Sequence, residues 1–241
     1  MTELTQKVID TFQTRPNVAV LMSLGGSNAE RLLGDPDIRK LYDISTVVSD
    51  QPSSRGAEVA GEHGLDYLLR PVDRFRTPDE REAYFDALCA ELGERGVTAC
   101  FYAGFMKISK GKFVHELPGI NAHPADLTVT DESGVPLFRG MDAISAMRAG
   151  TDGMIGASTH VVADKVDTGA TFIRSLSVHA SADMTDQACH QRIKQAEHQI
   201  YPLTLRMLGK GLIDISRMPY TFDEATGILT DVSGKVVDYD K

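Results

Sequence analysis

The chain has 241 residues, a formal charge of −9, 42% hydrophobic and 24% charged residues, a composition that suits a globular protein able to bury a sizeable core in one large domain. The acidic balance speaks against a general nucleic-acid-binding surface, no run approaches the ~20 apolar residues of a membrane span, and the first residues show no basic segment leading into an apolar one, so no signal peptide is expected. Cys89, Cys100 and Cys189 are widely spaced and form no C-x-x-C pair, which points to reduced thiols and a cytoplasmic location.

Residues 1–14 read as a short helix, and Pro16 separates it from N-V-A-V-L-M-S (17–23), a continuous apolar run typical of a strand buried on both faces of a parallel sheet. A glycine turn, L-G-G-S-N, and a helical A-E-R-L-L follow. D-I-S-T-V-V-S-D (43–50) is strand-like, R-G-A-E-V-A-G-E-H-G is a helix closed by Gly64, and L-D-Y-L-L-R is a third strand. Thr77 is placed to cap a helix over 78–95, with Pro78 at its first position, Glu80 completing a T-x-x-E capping box and Gly96 as its stop. V-T-A-C-F-Y-A-G (97–104) and I-N-A-H make the fourth and fifth strands. This alternation predicts an α/β fold: a Rossmann-like, mostly parallel twisted sheet with flanking helices.

Beyond Pro124 the pattern changes. L-T-V-T-D-E-S-G-V-P-L-F-R-G reads as a loop or hairpin, and M-D-A-I-S-A-M-R-A-G as a short helix stopped by Gly150. Residues 158–163 and 170–178 read as paired strands around D-K-V-D-T-G, and 184–208 as a long helix ended by Gly209 and Gly211. No internal repeat stands out. The predicted organisation is one α/β domain over 1–215, with 1–16 as a helical extension, and a small β appendage over 216–241.

Three stretches carry chemistry. In G-I-N-A-H-P, Asn121 and His123 lie two apart and share one face of a strand that Pro124 ends. In S-L-G-G-S-N, Gly26, Ser27 and Asn28 open a helix, where backbone N–H groups can meet an anion; Ser27 alternatively serves only as the N-cap. In S-T-H-V-V-A-D-K-V-D-T-G, the turn at Thr168-Gly169 presents Asp167 at a sheet edge, with Asp164 and Lys165 as solvated turn residues. Each alone reads as an ordinary turn or strand end. The first two, however, fall at the carboxyl ends of predicted parallel strands, where α/β sheets place their sites. An amide, an imidazole and a carboxylate together suit acyl transfer with direct attack by an amine. No Ser or Cys sits at a strained elbow to demand a covalent intermediate.

With N-V-A-V-L-M-S-L-G-G-S-N, Y-A-G-F-M-K-I, G-I-N-A-H-P, S-T-H-V-V-A-D-K-V-D-T-G-A and E-H-Q-I-Y-P in this order, the chain resembles the glycinamide ribonucleotide formyltransferases over roughly residues 17–215. The resemblance implies the formyltransferase fold and formyl transfer from 10-formyltetrahydrofolate, as co-substrate and without a metal, to a small-molecule amine. It places Asn121 and His123 on the oxyanion, Asp167 on the imidazole and the amine proton, and His160 in support of the aspartate turn. It puts Met106, Lys107, Ile108, Ser109, Ala163, Asp164 and Val166 against the folate, and Gly26, Ser27, Asn28 and Glu197 around the ribonucleotide phosphate. Folate and amine are the implied partners; nucleic acid and membrane are not, and a homodimer stays open.

The chain departs from the family at Leu24 and Gly25, where S-G-N-G-S-N is usual, and at Lys107, where arginine is common. It departs most after N-A-H-P, where a longer segment with extra acids runs to Gly140. The acceptor is therefore less defined than the chemistry: glycinamide ribonucleotide comes first, then another amine such as a hydroxylamine or amino sugar, then water in a formyltetrahydrofolate hydrolase. His123, His160 and Asp167 also make a two-histidine, one-carboxylate set that suits a metal, and a non-catalytic binder on the same fold is a further option.

Overall fold

A computed structural model describes residues 3–239. Helix α1 (Glu3–Gln13) leads into β1 (Asn17–Met22), followed by α2 (Ser27–Leu33), α3 (Pro36–Leu41), β2 (Asp43–Ser49), α4 (Gly56–His63) and β3 (Asp66–Leu69). Helix α5 (Pro78–Glu94), β4 (Ala99–Tyr102), α6 (Lys112–Glu116) and β5 (Gly119–His123) complete the first half. The second half holds α7 (Ala143–Gly150), β6 (Met154–Ile155), β7 (Ser158–Val161), β8 (Thr171–Ser175), β9 (Val178–His179), α8 (Asp186–Gly209), β10 (Tyr220–Asp223) and β11 (Ile228–Thr230).

Among the described residues, nine strands form one sheet in the order β11-β10-β8-β7-β5-β4-β1-β2-β3, and β6 pairs with β9 in a separate ribbon. Pairing is parallel from β3 through β2, β1 and β4 to β5, antiparallel for β5–β7 and β7–β8, parallel again for β8–β10 and antiparallel for β10–β11. The chain moves outward from β1 to β2 and β3, then returns to set β4 on the other side of β1. The crevice at the carboxyl ends of β1 and β4 is thus the topological switch point, where open α/β sheets bind ligands. The tail continues the main sheet, because β10 hydrogen-bonds alongside β8.

Alternation along β1 explains the layers. Val18, Val20 and Met22 pack with Phe12 of α1 and Ile200 of α8, while Ala19 and Leu21 pack with Phe85 and Leu88 of α5 and Phe113 of α6. Helix α8 is the backbone of the first layer. It is capped by Thr185, whose side chain accepts from Ala188 N, and it runs through Pro202. That proline cannot donate to the carbonyl of His198, and Arg31 Nε donates to this carbonyl instead, at 3.2 Å.

Several local expectations are corrected. The N-cap of α2 is Gly26, in a left-handed conformation at φ 72°, and Ser27 is the first helical residue with no side-chain cap. Thr77 does cap Glu80 N, but the Glu80 carboxylate accepts from Arg76 N at 2.7 Å and not from the capping residue itself. Gly209 is the last residue of α8, and the left-handed residue beyond it is Gly211. Helices α3 and α6 are too short for a periodicity signal. The turns D-E-S-G at 131–134 and D-V-S-G at 231–234 share one geometry, the aspartate Oδ1 accepting from the Ser N–H, the Ser Oγ–H and the N–H four residues on.

Candidate active site

The switch point is stapled by backbone and one hydroxyl. Ser23 N donates to Gly104 O at 3.1 Å, and Met106 N donates to Ser23 Oγ at 2.8 Å. The glycine turn after β1 and the A-G-F-M stretch after β4 are thereby fixed side by side. On the neighbouring strand, β5, Ile120 and Ala122 face the α8 layer, so Asn121 and His123 project from the opposite face. Tyr201 of α8 anchors β5 from behind by donating its hydroxyl to Ile120 O at 2.7 Å.

Asn121 is paired across the ladder with His160 of β7, and Nδ2 lies 3.1 Å from His160 Nε2. The other imidazole nitrogen, Nδ1, donates to the Val161 carbonyl at 2.9 Å. A carbonyl only accepts, so Nδ1 carries the proton. Burial pushes the His160 pKa down to about 4, against the pull of Asp167 and reinforced by His123. A neutral ring then leaves a lone pair on Nε2, which accepts from Asn121. This fixes the orientation of the Asn121 amide and keeps its second N–H free for another acceptor.

His123, at the end of β5, is 4% exposed. Its Nε2 donates to the Phe138 carbonyl at 2.8 Å, and its Nδ1 stands 3.4 Å from Asp167 Oδ2. Asp167 sits in the β7–β8 loop at φ 51°, a left-handed conformation uncommon outside glycine, asparagine and aspartate. Its Oδ2 accepts from Gly140 N at 2.8 Å. Its Oδ1 is 3.5 Å from His160 Nε2; because that nitrogen bears a lone pair, the contact is proximity and not a hydrogen bond. Gly169 closes the same turn against β7. A Cβ there would lie 1.8 Å from Val161 O, so only glycine fits.

These groups line one cavity of about 430 Å³. Asn121, His123, His160 and Asp167 form its polar end, and Met106, Lys107, Ile108, Ser109, Ala163 and Val166 also line it. Asp164 does not: its carboxylate accepts from Gly111 N at 2.8 Å and pairs with His115 Nε2 at 2.9 Å, tying the loop to α6. That ties down a residue which the sequence alone offers as a solvated turn. Lys107 Nζ donates to Asp73 O at 2.6 Å and lies 3.3 Å from the fully buried Asp50. Gly26, Ser27, Asn28 and Glu197 form a second patch outside this lining. There Asn28 Nδ2 donates to Glu197 Oε2 at 3.0 Å, and the Asn28 Oδ1 is buried with no protein partner. Burial raises the Glu197 pKa, opposed by the Asn28 bond.

The far wall, Met141, Ile144 and His190, comes from residues that sequence reading passes over. They lie just before α7, on α7 and on α8, and carry no local motif. Among the described residues no group of three or more His, Cys, Asp or Glu side chains is arranged to hold a metal ion, and no helix is long and apolar enough to cross a membrane.

A buried amide donor, an imidazole and a carboxylate at one end of an apolar cavity can stabilise a developing oxyanion and move a proton. The trifunctional purine biosynthetic protein adenosine-3 of Drosophila melanogaster is 31% identical over 217 residues, covering 88% of this chain. Its human counterpart is 28% identical over 207 residues, covering 83%. The chain spans only 15% and 19% of the lengths of these two relatives. A glycinamide ribonucleotide transformylase from Symbiobacterium toebii superposes with a TM-score of 0.71 at 26% identity, over 83% of this chain and 90% of that one. A phosphoribosylglycinamide formyltransferase from Brucella melitensis gives 0.65 at 27%, over 83% and 98%. The signature of the formyl transferase family matches residues 16–205, and the chain belongs to that family.

Proposed function

We propose that the chain transfers a formyl group from 10-formyltetrahydrofolate to the amine of glycinamide ribonucleotide. The observation that carries this reading is the convergence of Asn121, His123 and Asp167 at one end of a cavity whose walls include Met106, Ile108, Val162 and Val166. A predominantly apolar slot with polar groups gathered at one end suits a flat heteroaromatic ring bearing a reactive acyl group. The second patch, with Gly26 capping α2 and the Asn28–Glu197 pair beside it, suits a phosphorylated, hydroxyl-bearing acceptor.

In the proposed reaction the amine lone pair forms the new C–N bond while the carbonyl π electrons move onto the formyl oxygen. The free Asn121 N–H faces that oxygen, and the His123 ring stands beside it with Nε2 on the Phe138 carbonyl and Nδ1 toward Asp167. The amine loses one proton to Asp167, directly or through water; the electron pair on the oxygen then re-forms the carbonyl as the bond to the donor nitrogen breaks, and that nitrogen takes up the proton Asp167 received. Steering groups of this kind contribute several orders of magnitude together.

The test is incubation with 10-formyltetrahydrofolate and glycinamide ribonucleotide, following tetrahydrofolate release and the formylated product by mass spectrometry. Turnover that depends on the amine, and that falls about 1,000-fold in His123→Ala and Asp167→Asn, supports the reading. Near-normal turnover in both variants refutes the site. Absence of amine-dependent turnover refutes the acceptor, and formate release without any amine marks a hydrolase instead. A different amine is favoured by one observation, the 55% exposed Leu24 in the glycine turn.

A further inference from the structure

The segment between Pro124 and Gly140 makes two backbone contacts with the acid–base pair. Phe138 offers its carbonyl to His123 Nε2 at 2.8 Å, and two residues later Gly140 offers its N–H to Asp167 Oδ2, also at 2.8 Å. One short piece of backbone therefore grips both members of the pair, an acceptor on the imidazole and a donor on the carboxylate. Backbone groups cannot titrate or rotate away as side chains do.

The grip is itself anchored. The Phe138 ring is buried with Ala125, Ala143 and Met147 in a small separate core. Leu137 N donates to Val129 O at 2.9 Å, closing the hairpin. At its other end Asp126, 1% exposed, accepts from Arg174 Nη1 of β8 at 2.7 Å and from Thr128 N at 2.9 Å. Asp126 is the buried member of this pair and Arg174 is 32% exposed, so losing Arg174 would leave the Asp126 carboxylate buried without its ion-pair partner. The segment is thus fixed to β8 at one end and to α7 at the other, with its clamp between them.

We infer that residues 138–140 are a positioning device for the catalytic pair, and that they confine its proton chemistry to His123 Nδ1. Nε2 must carry a hydrogen at all times to satisfy the Phe138 carbonyl. Nδ1 is the nitrogen that faces Asp167 and can gain or give up a proton. Phe138 and Gly140 act through His123 and Asp167 and need touch neither substrate. This inference deepens the formyl-transfer reading and rests on it for its catalytic meaning, while the tautomer it requires is a property of the unliganded protein.

The experiment has two arms. The first is NMR of the unliganded protein with ¹⁵N-labelled histidine, assigning His123 by its absence in His123→Gln. The expected result is a ring protonated at Nε2 throughout, with any change on titration confined to Nδ1; a ring protonated at Nδ1 with Nε2 bare overturns the inference. The second arm is Gly150→Ala. A Cβ at Gly150 would meet Phe138 Cε1 at 3.1 Å, which nudges the ring without entering the cavity or touching the pair. The expected result is a loss in kcat of roughly 10- to 100-fold, both KM values within about twofold, and a shifted His123 resonance in a protein that melts as one cooperative unit. A folded Gly150→Ala protein with a shifted Phe138 ring but unchanged kcat and an unchanged His123 spectrum overturns it as well. Failure of the first arm in an active enzyme removes the clamp and leaves formyl transfer standing. An inactive wild type with the Nε2–H ring does the reverse.

Discussion

Gly169→Ala is expected to be the most damaging single-methyl change in the chain. Gly169 is not among the left-handed glycines, so its requirement is steric. The added Cβ would lie 1.8 Å from Val161 O and 2.7 Å from Val161 C, against an ordinary carbon–oxygen contact of about 3.2 Å or more. Neither neighbour is a flexible side-chain end. Val161 is held in β7, where its N–H donates to Ala170 O at 3.0 Å. Relief requires the turn to lift from the strand by more than an ångström, losing that bond. Overpacking costs about 1–3 kcal/mol and a broken buried hydrogen bond about 1–3 kcal/mol, so roughly 2–6 kcal/mol in all is expected. For a chain of this size that lowers the thermal midpoint by roughly 4–24 °C. The same displacement carries Asp167, two residues earlier, away from His123, and an ångström there costs about 100-fold in rate. Thermal unfolding and initial-rate formyl transfer measure the two effects. Gly234→Ala is the control: its φ is 82° but nothing lies within 4 Å of the added carbon, so it is expected to cost only about 1 kcal/mol with full activity. Equal stabilities and rates for the two variants would refute the close-approach argument.

Three further outcomes follow from buried polar groups. Between the ordinary histidine value of 6.5 and the lowered value of about 4 for His160, the unfolded chain binds a proton that the folded chain refuses. Stability therefore falls as pH drops through that window, by up to about 3 kcal/mol, and urea titrations at several pH values should show His160→Gln with a slope flatter by one proton. Glu197 has the opposite sign: burial raises its pKa, so it disfavours the fold more as pH rises through the raised value. Glu197→Gln is expected to melt higher than wild type at pH 8, with the gap narrowing toward pH 4; a lower midpoint at pH 8 would contradict this. Tyr201→Phe removes the 2.7 Å bond to Ile120 O behind β5. It should cost about 1–2 kcal/mol, read as a drop of roughly 2–8 °C in the thermal midpoint.

Much of this arrangement was legible because it is local. The continuous apolar run of β1, the strand that Pro124 ends and the cap at Thr77 depend on neighbours within a few residues, and each appears where the pattern places it. Asn121 and His123 share a face by strand geometry alone, and Thr168-Gly169 marks the turn that carries Asp167. What stayed hidden depends on partners far along the chain. Nothing near residues 158–161 says that β7 runs antiparallel to β5, yet that pairing sets His160 opposite Asn121. Met141, Ile144 and His190 become a cavity wall only through the docking of α7 and α8. The left-handed Asp167 is likewise a tertiary result, since V-D-T-G permits several turns.

The stretch A-D-L-T and the residues after it illustrate the difference between reading charge and reading geometry. Its acids suggest an altered acceptor surface, but neither Asp126, Asp131 nor Glu132 lines the cavity. Asp126 is spent on Arg174 and Thr128, and Asp131 organises its own turn. The segment reaches His123 and Asp167 through one carbonyl and one N–H, at Phe138 and Gly140. Such contacts have no residue-type signature, because every residue offers the same carbonyl and nearly every residue the same N–H. The departure from the family pattern after N-A-H-P therefore bears on how the imidazole and carboxylate are held.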